Sequence, residues 1–478
     1  MPESLPQNKQ VTRRNLLVML LVALTTFISV LIETSMNVTF PTLMKEMNVS
    51  LSEVQWVTTS YLLASSIIIT ASSFFKQNFS NRELFTAANL FFIIGGFICI
   101  YSPNFLTLIV GRILQACCAG ISLPLMINII FEVSPREKVG FYSGLSTLIL
   151  MIAPATGPVF GGIIDNWFNW RIIFIIIIPI SIIVLLIGFP LMQQYTRIKK
   201  TSFDYKSLLI LILLLTLFNV GINKINGPHF LDRNFIVGLV VFILFSIIFV
   251  SYSLKKKDPL LNLRVFKNKA FIFSFLAFFL IQFINMGINF LIPNYPQLVY
   301  GASSLMGGLM MLPANIIASI LQPFFGKFLD LKGARMPIFS GVSLLSISLV
   351  FFLLANNRLP FWFIGIFYIF FRAGCSLAFS NTQTNSVKIV SPKQQPDASS
   401  ILSMGNQFAG SVGTIIMADV MNSFNLPQFS HFTNMALGSE LAGGLLLIIA
   451  GIASITFYFT FKYENPYDVS HEISKVSH

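Results

Sequence analysis

Runs of about twenty residues with almost no charge recur along the whole of this 478-residue chain, and they restrict its fold more than any motif does. One helical crossing of a bilayer needs about 20 apolar residues. Inside the hydrocarbon every backbone polar group must be satisfied within its own segment. A chain built from such runs is therefore an all-α polytopic membrane protein. Only 10% of the residues are charged, against about 25% in an ordinary soluble domain, so the chain cannot clothe itself for water. Fourteen transmembrane helices are predicted, near 15–36, 53–75, 83–102, 104–128, 139–164, 170–190, 205–222, 235–254, 270–292, 303–326, 335–355, 359–384, 398–421 and 436–461.

The net charge of +13 follows this layout. With the N-terminus cytoplasmic, 24 Lys and Arg fall on the inner side and 5 on the outer, and only Arg112 and Arg372 fall well within spans. That bias is the positive-inside rule, and it predicts both termini in the cytoplasm. The basic residues form no stripe of the kind that binds nucleic acid. Cys99, Cys117, Cys118 and Cys375 lie within spans and read as small buried apolar residues rather than metal ligands. No cleavable signal peptide is read at the start. Abundant Ile, Phe, Asn and Lys point to a bacterial plasma membrane.

Glu33 breaks the rule that charge stays out of the runs. An ionised carboxylate inside a span costs roughly 2.5 kcal/mol or more. Asn37 follows one helical turn later, where it would share a face with Glu33. In the ninth span Gln282, Asn285 and Asn289 fall at i, i+3 and i+7, a face that looks into the bundle rather than to lipid.

The loop "GKFLDLKGAR", Gly326 to Arg335, has a degraded twin 253 residues earlier, "SFFKQNFSNR". Each follows the second span of a block of six. Such repeated halves are common in helical transporters. They divide the chain into an N-terminal six-helix bundle (1–190), two inserted transmembrane helices with linkers (191–269), and a C-terminal six-helix bundle with a cytoplasmic tail (270–478).

Several motifs, in order, now resemble the major facilitator superfamily, and within it the fourteen-span drug:proton antiporters of the bacterial multidrug efflux type. "WVTTSYLLA", Trp56 to Ala64, is similar to the second-span signature, and "GRILQACCAGISLP", Gly111 to Pro124, to the fourth-span Arg-x-x-Gln motif. "APATGPVFGG", Ala153 to Gly162, resembles the fifth-span antiporter motif, and "WRIIFIIIIP", Trp170 to Pro179, the sixth-span entry. The chain departs from the pattern in four places. The first-half loop lacks both glycines and its acidic residue. The usual first-span Asp aligns with Ile32, beside Glu33. Ala116 stands for a glycine, and Ile177 for an Asn.

The resemblance implies a proton-coupled antiporter that exports amphipathic, often cationic, drugs or dyes by alternating access. A carboxyl in an apolar cavity holds its proton more tightly, so Glu33 can be occupied by a proton or by a cationic substrate, with Arg112 tuning it. A structural role for Arg112 on backbone carbonyls is the competing reading. Asn37, Tyr61, Gln115, Gln282, Asn285, Asn289 and Gln407 are expected to line the substrate cavity. Gly157, Gly161 and Gly162 admit a neighbouring helix closely, and Pro158 favours a bend that the resemblance makes a seal against leak. Gly326, Asp330, Gly333 and Arg335 form a charged loop, with Asp330 a latch or simply a solvated residue. Asp419 and Glu440 are secondary proton candidates. No cofactor, metal or nucleic acid is expected. The partners are small-molecule substrates, protons and membrane lipid, and the chain is read as a monomer and not an enzyme. A transporter of one metabolite or nutrient is the main alternative, and a membrane-embedded enzyme a remote one.

Overall fold

The structure, a computed structural model, describes residues 12–135, 138–196, 198, 200, 203–222, 233–256, 259–355, 362–424 and 428–464. Among these there are seventeen α-helices and no strand: α1 (Arg13–Ser35), α2 (Phe40–Met47), α3 (Leu51–Val54), α4 (Trp56–Thr70), α5 (Ser72–Asn78), α6 (Asn81–Ile100), α7 (Phe105–Val133), α8 (Val139–Trp167), α9 (Ile172–Leu191), α10 (Tyr205–Ile222), α11 (Arg233–Lys255), α12 (Lys269–Tyr300), α13 (Ser304–Lys332), α14 (Arg335–Ala355), α15 (Trp362–Lys388), α16 (Gln395–Met421) and α17 (His431–Tyr463). A 3-10 turn, Met36–Thr39, joins α1 to α2.

Twelve of these are long and apolar enough to cross a membrane, counting Arg13–Met47 as one. The pair Leu51–Thr70 and Ser72–Asn78, bent by 50°, makes a thirteenth when taken as a single crossing. The one remaining predicted span, 398–421, falls on α16. That helix is 27 residues long, but its Ser, Gly, Asn, Gln and Asp residues keep it out of this set. Its polar face is covered by protein rather than lipid, as the contacts below show.

Helix starts follow local chemistry. Ser50 with Glu53 and Ser80 with Glu83 form capping boxes, in which hydroxyl and carboxylate each satisfy a free backbone amide. Asn104, Asn268, Ser303 and Ser430 cap α7, α12, α13 and α17.

The helices from α1 to α9 pack mainly on one another, as do those from α12 to α17. The two sets meet along two seams, α8 against α13 and α4 against α16. α10 and α11 pair through Gly221 and Gly238, where a methyl on either glycine would sit under 3 Å from the other's Cα. α10 reaches the rest at the α4–α16 seam: Phe218 meets Phe408 at 5.8 Å between ring centres. Asn219 Oδ1 also accepts from Ser411 Oγ at 3.2 Å.

The face at which α1 begins is called here the near face, and the one at which it ends the far face. At the near face, Arg14 donates to Leu191 O at 3.1 Å and Arg82 to Met192 O at 3.3 Å. Glu132 pairs with Lys76 and accepts from Asn81 and Thr196. The first-half loop thus ties down the start of the linker that leads to α10.

Candidate transport site

Glu33 lies in the last turn of α1, 6% exposed, with no hydrogen bond among the described residues. Around it stand α4 and α7. Arg112, wholly buried, donates through Nε to Val57 O at 3.2 Å and through Nη1 to Gln115 Oε1 at 3.0 Å. Its guanidinium lies over the Tyr61 ring at 4.5 Å from the ring centre, a cation–π contact. Tyr61 in turn donates to Ser29 O at 3.1 Å. Arg112 and Glu33 form no ion pair, but each lies in the other's electrostatic field. Arg112 Nη2 and Gln115 Nε2 are buried without a partner. Both readings of Arg112 therefore have support: it holds a carbonyl, and it faces a carboxyl.

The structure distributes the expected cavity residues over several places. Gln115 is fully buried inside the first half, against the α6 glycines, where a methyl on Gly95 would come within 2.9 Å of its Cγ. It positions Arg112. Asn37 lies within the 3-10 turn that follows α1, so it and Glu33 do not continue one α-helical face. Asn37 Oδ1 accepts from Thr58 at 2.6 Å. Gln407 of α16 crosses the seam to donate to Ser65 of α4 at 3.0 Å. On α12, Asn285 donates to Gln282 at 3.0 Å, and Tyr368 donates to Asn289 Oδ1 at 2.8 Å. Arg372, on α15, donates to Asn285 Oδ1 at 2.7 Å.

The antiporter-like motif packs as its glycines require. Gly157 and Gly161 meet α1 so closely that a methyl on either would overlap Thr34 or the Ser35 backbone. Ser35 Oγ donates to Gly157 O at 2.9 Å. Gly162 turns instead to α13, where a methyl would come within 2.6 Å of Ser304 O. Pro158 has no N–H, which leaves the carbonyl four residues back, at Pro154, without its helical donor. Asn315 of α13 donates to that carbonyl from across the seam at 3.2 Å.

The far face carries a clasp that the sequence did not single out. Asn294 Nδ2 donates to Asn37 O at 3.3 Å, and Gln297 Nε2 to Val38 O at 3.1 Å. Phe40 and Phe290 meet at 5.8 Å between ring centres. Asp165, 8% exposed, accepts from Thr42 at 2.8 Å and from Ser304 through Oδ2, while its Oδ1 is buried and unpartnered. Asn294 and Gln297 lie past residue 292, where the predicted span stopped, on a different face of α12 from Gln282, Asn285 and Asn289. Carrying the helix on to Tyr300 would have brought them within it.

At the near face the second-half loop stands apart. Asp330 is exposed and makes no hydrogen bond or ion pair among the described residues. A methyl on Gly326, Gly333 or Gly144 would meet nothing within 4 Å. Asp419 is 6% exposed near the far end of α16, beside Ser52. Glu440, on α17, borders an apolar crevice with Tyr295 and Phe352.

Buried ionisable groups among apolar helices long enough to cross a membrane mark a functional site in a membrane protein. Residues 22–414 match the family model of the Major Facilitator Superfamily. The chain is 30% identical to the lincomycin resistance protein LmrB of Bacillus subtilis, over 88% of each chain. It is 28% identical to the riboflavin transporter RibZ of Clostridioides difficile, over 89% of this chain and 92% of that one. Its fold is similar to the crystal structure of a bacterial homologue of the human lysosomal transporter Spinster, inward-facing and unoccupied. That likeness has a TM-score of 0.71 at 14% identity, over 95% of this chain and 98% of the other. The chain belongs to the major facilitator superfamily.

Proposed function

We propose that this protein is a proton-coupled antiporter that exports amphipathic, often cationic, compounds from a bacterial cell by alternating access. The observation that carries the proposal is Glu33, a carboxyl buried at the end of α1 with no hydrogen-bond partner and Arg112 nearby. A group so placed is occupied by a proton or by a cation, and exchange of the two across the membrane is antiport. The drug-resistance name of the LmrB relative supports export of drugs. In this reading residues 1–190 and 270–478 are two six-helix bundles, α10 and α11 are an inserted pair within 191–269, and α16 completes fourteen crossings. The near face is cytoplasmic, and Asp330 latches it when the substrate path opens outward.

RibZ supports a second reading, in which the same machinery serves one defined solute. Proton release from purified protein in liposomes, on adding cationic dyes or riboflavin, separates the two. Glu33→Gln tests the coupling itself. It removes a costly charge at nearly constant volume, so the fold is expected to hold. Uphill export driven by a pH gradient is expected to vanish, and cation binding is expected to lose most of its weakening at acid pH. Well-folded Glu33→Gln protein that still exports against a gradient overturns the assignment and moves it toward Asp419 or Glu440.

A further inference from the structure

The two halves carry matching polar positions with unlike chemistry. Glu33 stands at the end of α1 and Asn37 in the 3-10 turn after it; 252 residues on, α12 has Asn285 and Asn289 at the same sequence spacing. The fourth long helix of each half, α7 and α15, carries one buried or partly buried arginine, Arg112 and Arg372. The first half therefore sets a carboxyl near its guanidinium. The second half sets a neutral amide there, with Arg372 Nη1 on Asn285 Oδ1 at 2.7 Å. Arg372 is in no ion pair among the described residues, and its Nε is buried without a partner.

Each amide oxygen of this cluster already serves a donor within it. Asn285 Oδ1 serves Arg372, Gln282 Oε1 accepts from Asn285 at 3.0 Å, and Asn289 Oδ1 accepts from Tyr368 at 2.8 Å. What remains are donors: Arg372 Nε and Nη2, and Gln282 Nε2. A guanidinium cannot shed its proton to relieve this, so it calls for an added acceptor, and an acceptor that carries negative charge makes the stronger bond. The cluster also lies close to the α4–α16 seam between the halves. Met286, one residue from Asn285, packs against the same spot on α16, Gly410, as Leu62 of α4.

We infer that Arg372 and Gln282 form an anion-recognition site, oriented by Asn285, Asn289 and Tyr368, that takes a carboxylate of the transported compound. The inference rests on the antiport reading for the place of this cluster in a transport path, and it sharpens the substrate class. A compound with a cationic group and a carboxylate engages both halves at once, the cation at Glu33 and the carboxylate at Arg372. Charge-assisted contacts of a guanidinium with a carboxylate are the stronger class of hydrogen bond and are frequently bidentate.

A matched dye pair tests it. Rhodamine 110 carries a free carboxylate, and rhodamine 123 is its methyl ester, with the same cationic ring system. Binding of each to purified full-length protein in nanodiscs is measured by fluorescence anisotropy at neutral pH. The wild type is expected to favour rhodamine 110 by about tenfold, which corresponds to about 1.4 kcal/mol. Arg372→Gln is expected to abolish that ratio. Asn285→Asp, nearly isosteric, places a resident carboxylate against Arg372 and is expected to abolish it too, which covers the case in which the arginine variant does not fold. Equal affinity of the wild type for the two dyes, including no measurable affinity for either, overturns the inference. So does a ratio that survives in a folded variant. Export of rhodamine 123 from vesicles under a pH gradient reads the antiport proposal separately. An Arg372-dependent ratio without gradient-driven export keeps the anion site and removes the antiport reading; export without the ratio does the reverse.

Discussion

At the scale of single residues, most of the described helix contacts at the α1–α8 junction turn on the absence of a side chain. Gly157 lies under Thr34, and Ser35 reaches over to Gly157 O. Adding one methyl at 157 forces α1 and α8 apart, and overpacking of this kind costs about 1–3 kcal/mol. Gly157→Ala is therefore expected to lower the thermal midpoint of the purified protein by several degrees, with partial recovery in Gly157→Ala/Thr34→Ala. No change in the single variant would show that the junction is looser than the structure has it. Glu33 was legible in the sequence because a carboxylate inside an apolar run is conspicuous by its cost alone. Arg112 was legible with it. The partner of Arg372 was not, because Asn285 sits 87 residues away and only the packing of α12 on α15 brings them together. Gln115 was placed in the cavity by its polarity, whereas the α6 glycines enclose it inside the first half.

At the scale of elements, the inserted pair depends on a small polar anchor at its near-face end. Asp204 precedes α10, pairs with Lys256 at 2.9 Å just after α11, and accepts from Ser207. Burial opposes its charge, but Ser207 and Lys256 together outweigh that and hold its carboxyl below the usual aspartate range. A carboxyl depressed in the folded protein contributes stability that is complete above its unfolded value, near ~3.9. That contribution is lost as pH falls through the lower folded value. Protection of the α10 and α11 amides, taken against their intrinsic exchange rate at each pH, is therefore expected to fall at acid pH in the wild type, and to be lower and less pH-dependent in Asp204→Asn. Exchange that is unaffected by the substitution would mean that the apolar contacts between α10 and α11 suffice. The existence of these two helices was plain from their apolar runs. Their seat beside α4 and α16 was not, because lipid-facing and protein-facing apolar residues look alike in a sequence without a polar face. α16 posed the opposite difficulty, its polar residues being satisfied by partners distant in sequence, such as Ser65 of α4 and Asn219 of α10.

At the scale of the whole molecule, the described contacts between the halves gather toward the far face, where Asn294, Gln297, Asp165 and Ser304 close the end of the bundle. Single cysteines in a background without the four native ones can follow this. A cysteine at Ser50 is expected to react with an impermeant thiol reagent from outside the cell, one at Lys200 to be silent, and one at Val38 to react slowly. Combining Asp165→Ala with Asn294→Ala and Gln297→Ala is expected to raise the Val38→Cys labelling rate several-fold, since these leave its position intact while removing the polar part of the clasp. Outside labelling at position 200 would reverse the orientation, and an unchanged rate at 38 would assign the closure to Phe40 and Phe290. Deeper in the seam, the Pro154 carbonyl that Pro158 leaves without a donor is held by Asn315. α8 has no amide of its own to offer that oxygen when the halves separate, so the vacated bond passes to solvent. In the alternating-access reading proposed above, wetting of this part of the seam accompanies each separation of the halves rather than following it.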